Sequence, residues 1–240
     1  MKQHCGFSGL RTASACTAAL VLGASSVPAG AQQTASPPPA TSPATTPLAS
    51  QSGAAAREIA AFARAWAGAT GYSATVTVFD QKGTQTQNVV FDYTFRKPSN
   101  VTVHVLTGPN AGVTLTWNGG PTVVAWHGSG LAAMFKRTLS LHDPLVTTLR
   151  GSSIDQLSFG AILAHGLQEA GSLSEAPGEV IDGVAVNAVT LIPAGSAADA
   201  GLTREVVELS AVTHLPMRVL GYDGSTLVRK VDFSNIKLQS

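Results

Sequence analysis

Residues 89–105 read VVFDYTFRKPSNVTVHV, and this stretch decides the architecture. Val89, Phe91, Tyr93 and Phe95 alternate with Val90, Asp92, Thr94 and Arg96, the period of two that marks a strand with one buried face. Pro98 cannot donate a ladder hydrogen bond, so Pro98-Ser99-Asn100 breaks the strand. Val101, Val103 and Val105 then alternate with Thr102 and His104 in a second strand. Lys97 carries the parity of the aromatic face, which makes it the one cation placed on that side. The pattern extends in both directions. Ala74, Val76 and Val78 form a strand that ends in a turn over Asp80 to Gly83. Val113, Leu115 and Trp117 form another, and Asn118-Gly119-Gly120 supplies a hairpin turn before a strand defined by Val124 and Trp126. Five consecutive strands joined by short turns make an antiparallel meander.

Upstream lies a helix. Ile59, Phe62, Ala63 and Trp66 recur at helical spacing with Arg57 and Arg64 opposite, Ser52 is its expected cap, and Gly68 and Gly71 end it. Downstream, Phe135, Leu139 and Leu141 suit a short strand, and Leu131 to Met134 a short helix or an apolar loop. Ser153 and Gln156 have capping-box spacing ahead of a helix over 154–168. Four further strands are expected at 184–192, 205–210, 217–222 and 227–233. Nine or more antiparallel strands twist and curl rather than stay flat. The expected fold class is mainly β with α: a curled antiparallel sheet covered by an N-terminal helix and a central helix and lid segment.

The first residues belong to a different class. Lys2 and Arg11 precede the small apolar run Thr12 to Val27, and Ala29-Gly30-Ala31 has the A-x-A form of a cleavage site, so residues 1–31 read as a secretory signal cut near Ala31. Lipidation at Cys16 is the rival reading, but it would leave only Gly6 to Leu10 as apolar core. Both cysteines lie within the signal, so a mature chain holds no disulfide. Residues 32–53 contain five prolines and no charge, and read as a disordered spacer. The folded domain is expected over 54–240. After cleavage the balance is 13 Lys+Arg against 14 Asp+Glu, a net of −1, which gives no reason to expect a nucleic-acid partner. No later apolar run reaches the roughly 18–20 residues of a membrane span.

Catalytic chemistry finds little footing. His104, His127, His142, His165 and His214 have no H-x-x-x-H spacing, so no metal is expected. Ser129 in His127-Gly128-Ser129-Gly130 lacks the spacing of a nucleophile elbow. His142-Asp143-Pro144 reads as turn chemistry. No cofactor motif is present, and the chain is read as a non-enzyme.

The order of elements resembles the LolA-like family of periplasmic lipoprotein carriers. The resemblance rests on Tyr72 in the first strand, Phe95-Arg96-Lys97-Pro98 ending the second, Trp117-Asn118-Gly119-Gly120 before Trp126, and a closing run. That run comprises His214-Leu215-Pro216-Met217-Arg218-Val219, Tyr222-Asp223-Gly224 and Val231-Asp232-Phe233-Ser234-Asn235-Ile236. It implies an open half-barrel with helices as a lid over a lipid-binding cavity, and a periplasmic or secreted carrier of a lipid or acylated protein. The family's arginine before the proline bonds the lid backbone, and Lys97 stands in its place with a point charge instead of a planar fork. Trp66, Phe91, Tyr93, Phe95, Trp117 and Trp126 are expected to line the cavity with Lys97 near the polar head. Met134 and Phe135, with Leu131, Leu139 and Leu141, are expected to cover its open end. The alternative is an envelope sensor or scaffold that binds a protein partner and has a filled core.

Overall fold

In a computed structural model of the chain, residues 48–128, 135–168, 170–193 and 201–240 are described. The expected signal, residues 32–47 of the expected spacer, and residues 129–134 at the start of the expected lid lie outside them; residues 48–53 of that spacer belong to a helix. Eleven strands form one open antiparallel sheet: β1 Gly71–Lys82, β2 Gln85–Arg96, β3 Asn100–Thr107, β4 Val113–Asn118, β5 Thr122–His127, β6 Arg137–Ser140, β7 Ala170–Pro177, β8 Val186–Pro193, β9 Arg204–Ser210, β10 Pro216–Asp223 and β11 Thr226–Gln239. Their order is β6-β5-β4-β3-β2-β1-β11-β10-β9-β8-β7, so the last strand returns to pair with the first at the centre. Two helices complete the described fold, α1 Leu48–Ala67 and α2 Phe159–Gln168.

Register builds the concave face in rows. Val89, Val78, Val231, Val219, Val207 and Val189 are successive cross-strand partners on β2, β1, β11, β10, β9 and β8. A parallel row joins Tyr93, Val103, Leu115 and Ala125. Branched and aromatic side chains favour such pleated surfaces, and pairing them across strands is what stabilises the sheet. The buried core gathers these rows under Ala55, Phe62 and Trp66 of α1 and Phe159 of α2.

Four expectations change. Helix α1 spans Leu48–Ala67, so Ser52 lies within it and is not its cap, and the Ala-rich run favours helix through this part. The helix expected over 154–168 is divided into a 3₁₀ turn, Ile154–Leu157, and α2. Ser158 stands between them in extended backbone, and its Oγ accepts the Ala161 N–H at 3.1 Å, a local cap that starts a new helix. Strand β7 is an addition: AGSLSEAP has only one large apolar residue and so shows no period of two. Finally, β1 runs through the expected turn at Asp80, because its pairing with β2 continues to Lys82 opposite Gln85.

Candidate functional site

The deep centre of the concave face is filled. Tyr72 and Tyr93 donate to the carbonyls of Leu157 and Ile154 at 2.8 and 3.0 Å, which ties the 3₁₀ turn to the sheet. Phe159 stacks on Tyr72 at 3.9 Å between centroids, and Trp66, Phe62 and Phe233 meet Phe159 edge-on. Gly160 allows this approach, since a Cβ there would lie 3.1 Å from the Trp66 indole nitrogen. Burial pushes both phenols well above the ordinary tyrosine range; the neighbouring Tyr93 adds to the effect at Tyr72, as does the Asp155 carboxylate at Tyr93.

Two cavities flank the start of α2. The first, of about 330 Å³, lies between α2 and strands β1, β9, β10 and β11. Its apolar wall comes from Val78, Val219, Val231, Phe233 and Ile162, and its polar wall from Arg229, Glu205, His165, Gln156 and Gln168. The second, of about 460 Å³, is lined by Trp66, Phe95, Lys97 and Trp117 together with Asp155, Ser158 and Gly160. Four of the nine expected residues therefore converge on one cavity.

Lys97 is placed as its parity implied, on the side of the aromatic face. Its ammonium donates to the carbonyl oxygens of Trp66 at 2.8 Å and Ala67 at 3.4 Å, and stands 4.4 Å from the centre of the Trp66 ring. These carbonyls belong to the last turn of α1, where helix geometry leaves them without intrahelical partners. The charge expected near a ligand head is thus engaged in holding α1.

The other expected residues part company. Phe91 and Tyr93 are core, 5% and 0% exposed, with Tyr93 covered by the 3₁₀ turn. Trp126 lies on the outer face: pairing turns Val123 and Ala125 inward, so alternation sets Trp126 opposite Thr114 with the Lys136 ammonium 5.3 Å above its ring. The sequence offers two valines in a row there, and Val123 rather than Val124 is the inner one. Phe135 is 81% exposed and stands before Arg137, the first residue of β6, so it falls outside the strand and the core, while Leu139 opposite Val123 and buried Leu141 do pack inward. Met134 lies outside the described residues. Asp143 performs the turn chemistry read from the sequence, its Oδ1 accepting the Leu145 N–H at 2.9 Å. Among the described residues, no three His, Cys, Asp or Glu side chains are placed to hold a metal ion.

Sequence reasoning missed the charged end of the first cavity. Asp80, Arg229, Gly221 and Glu205 are successive partners on β1, β11, β10 and β9, one row beyond the valines. Asp80 is fully buried; its carboxylate takes Arg229 Nε at 3.3 Å and the Arg150 backbone N–H at 3.1 Å. Glu205 lies 3.8 Å from His165 on α2. Gly221 makes room in this row, because a Cβ there would press on Leu202 at 3.0 Å and on Arg229 at 3.1 Å. The available signal was parity, since Arg229 shares its face with Val231 and Phe233, and Glu205 with Val207 and Leu209.

No family model and no curated protein matches the chain. Among solved structures it is similar to LprF from Mycobacterium bovis, at 16% identity and a TM-score of 0.47 over 78% of this chain and 94% of that one. It is similar to the lipoprotein LppX from Mycobacterium tuberculosis, at 16% identity and a TM-score of 0.45 over 77% and 95% of the two chains. A LolA superfamily protein from Nitrosomonas europaea is similar at 12% identity and a TM-score of 0.35, over 78% and 94%.

Proposed function

We propose that this is an envelope binding protein that holds a lipid, or the acyl group of a modified protein, in the concavity of its sheet and performs no catalysis. The observation that carries the reading is the pair of cavities, about 330 and 460 Å³, beside a continuous row of six valines and a group of aromatic rings. Both lie in the range of roughly 300–1,000 Å³ usual for small-molecule sites. A packed-centre scaffold would be expected to leave less. A secretory signal over 1–31 and a spacer ending before α1 at Leu48 belong to the same reading, since export would bring the chain to the membrane surfaces where acyl ligands reside. Among the described residues, no helix is long and apolar enough to cross a membrane.

Energetics sets a condition. Ten buried methylenes contribute about 8 kcal/mol, and association costs at least about 4 kcal/mol. The difference corresponds to a Kd only near millimolar. Tighter binding needs polar contacts as well as a tail. The test is organic extraction of the purified full chain with lipid mass spectrometry, alongside titration with a fluorescent fatty acid. Co-purified lipid or saturable probe binding is expected; a chain that carries no lipid and ignores the probe would overturn the reading.

A further inference from the structure

We infer that the Arg229 end of the 330 Å³ cavity is a head-group site for an anionic amphiphile, one that bears a carboxylate or phosphate on an apolar tail; this rests on the lipid-binding reading above. The cavity is amphipathic by register. On adjacent strands, the pair Asp80–Arg229 stands directly beyond the pair Val78–Val231, and Val76–Phe233 lies beyond that. A ligand laid along this axis would meet a charged row at one end and branched, then aromatic, side chains at the other.

Arg229 has the chemistry of an anion ligand. Its Nε donates to Asp80 at 3.3 Å, which fixes the plane of the guanidinium. Among the described residues its two Nη groups have no hydrogen-bond partner, although the side chain is only 17% exposed and lines the cavity. Those two groups form a fork that matches two oxygens of a carboxylate or phosphate. Gln156 lines the same cavity; its oxygen accepts the Ser153 N–H at 3.1 Å, and among the described residues its amide N–H groups have no acceptor. Arg229 thus offers a fork that Lys97, whose ammonium is engaged with α1, does not.

The experiment compares cis-parinaric acid with its methyl ester on the full chain at pH 7.5, with inorganic phosphate as competitor. The two probes share a tail and differ only in the charge of the head. Expected is acid binding at least tenfold tighter than ester binding, a ratio that falls to about one in R229Q. In R229K, which keeps a cation for Asp80 but loses the fork, the ratio falls without loss of fold. Equal and saturable binding of acid and ester to the unaltered chain would overturn the head-group site while the lipid-binding reading stands. Binding of neither probe would overturn both. Displacement of the acid by phosphate alone, with no contribution from the tail, would reassign the cavity to a free anion.

Discussion

Replacing Lys97 by methionine keeps the apolar stem and removes the ammonium, which isolates what the charge does for α1. Two effects are lost. A hydrogen bond with one charged partner contributes about 1.5–3 kcal/mol net, and the exposure of Lys97 puts it at the low end. The exposed ammonium over the Trp66 ring adds about 0.5–1 kcal/mol. The sum, about 2 kcal/mol, corresponds to a fall in Tm of about 4–8 °C for a domain of this size. Thermal unfolding by circular dichroism reads the global loss. Amide hydrogen exchange reads its place, which should be the last turn of α1, before Ala67, rather than the sheet. Arginine at the same position could donate to the Trp66 and Ala67 carbonyls at once through its fork. K97R should therefore melt no lower than the parent. A K97M protein with unchanged Tm and unchanged exchange in α1 would refute the assignment of Lys97 as the clamp.

Removing one phenol, in Y72F or Y93F, leaves the Leu157 or Ile154 carbonyl without its donor in the interior and should cost about 1–2 kcal/mol in urea unfolding; a neutral result would show that water replaces the donor. The same two phenols are held far above their ordinary range by burial, so absorbance at 295 nm should report their ionisation only together with global unfolding in alkali. On the outer face, Glu208 is pushed above the ordinary carboxylate range by burial, which outweighs the opposing pull of Arg218. Because its folded value lies above its unfolded one, its contribution is greatest below the unfolded value and is lost as pH rises through the folded one. E208Q should accordingly gain stability relative to the parent between pH 4 and 7, and the opposite trend in paired urea titrations would contradict the sign. Trp117 lines the second cavity and Trp126 does not, so W117A should weaken a fluorescent fatty acid that occupies that cavity and W126A should leave it unchanged; equal losses would refute the assignment of faces.

The two kinds of residue in this site differ in how legible they were, and the difference is physical. The 3.6-residue spacing and a capping box located the helices, while alternation located the meander and the strands from β8 to β11, because a half-buried strand must repeat every second residue. The same rule placed Lys97 beside the aromatic face, where its ammonium reaches the end of α1. It failed at Trp126, where consecutive valines fit either face and only pairing with β4 decides between them. It could have found Asp80, Arg229 and Glu205, each of which continues an apolar parity at the end of its strand. A charged residue at such a point also reads as the start of a turn, and that reading prevailed at Asp80. What separates the two readings is the partner strand: Arg229, distant in sequence, stands opposite Asp80 across β1 and β11 and satisfies the charge.

That pairing also explains why a charged row can sit inside a sheet of marginal stability. An isolated buried carboxylate would cost several kcal/mol, and well-packed apolar residues in its place would often serve stability as well or better. Asp80 is satisfied twice, by Arg229 and by the backbone of Arg150, and the Arg150 guanidinium also donates to the Gln81 carbonyl at 2.8 Å. Gln87, the β2 partner of Asp80, accepts the Leu149 N–H at 2.7 Å. The segment around residues 149–150 is therefore held to the sheet through the same row that faces the 330 Å³ cavity. A ligand that drew the Arg229 fork toward itself would act on Asp80, and through Asp80 on the Arg150 backbone. Binding at Arg229 and order in this segment should rise together, and hydrogen exchange at the Leu149 and Arg150 amides, with and without cis-parinaric acid, reads that coupling directly. Unchanged protection at both amides on saturation would show that the row is a structural ion pair with no link to the ligand.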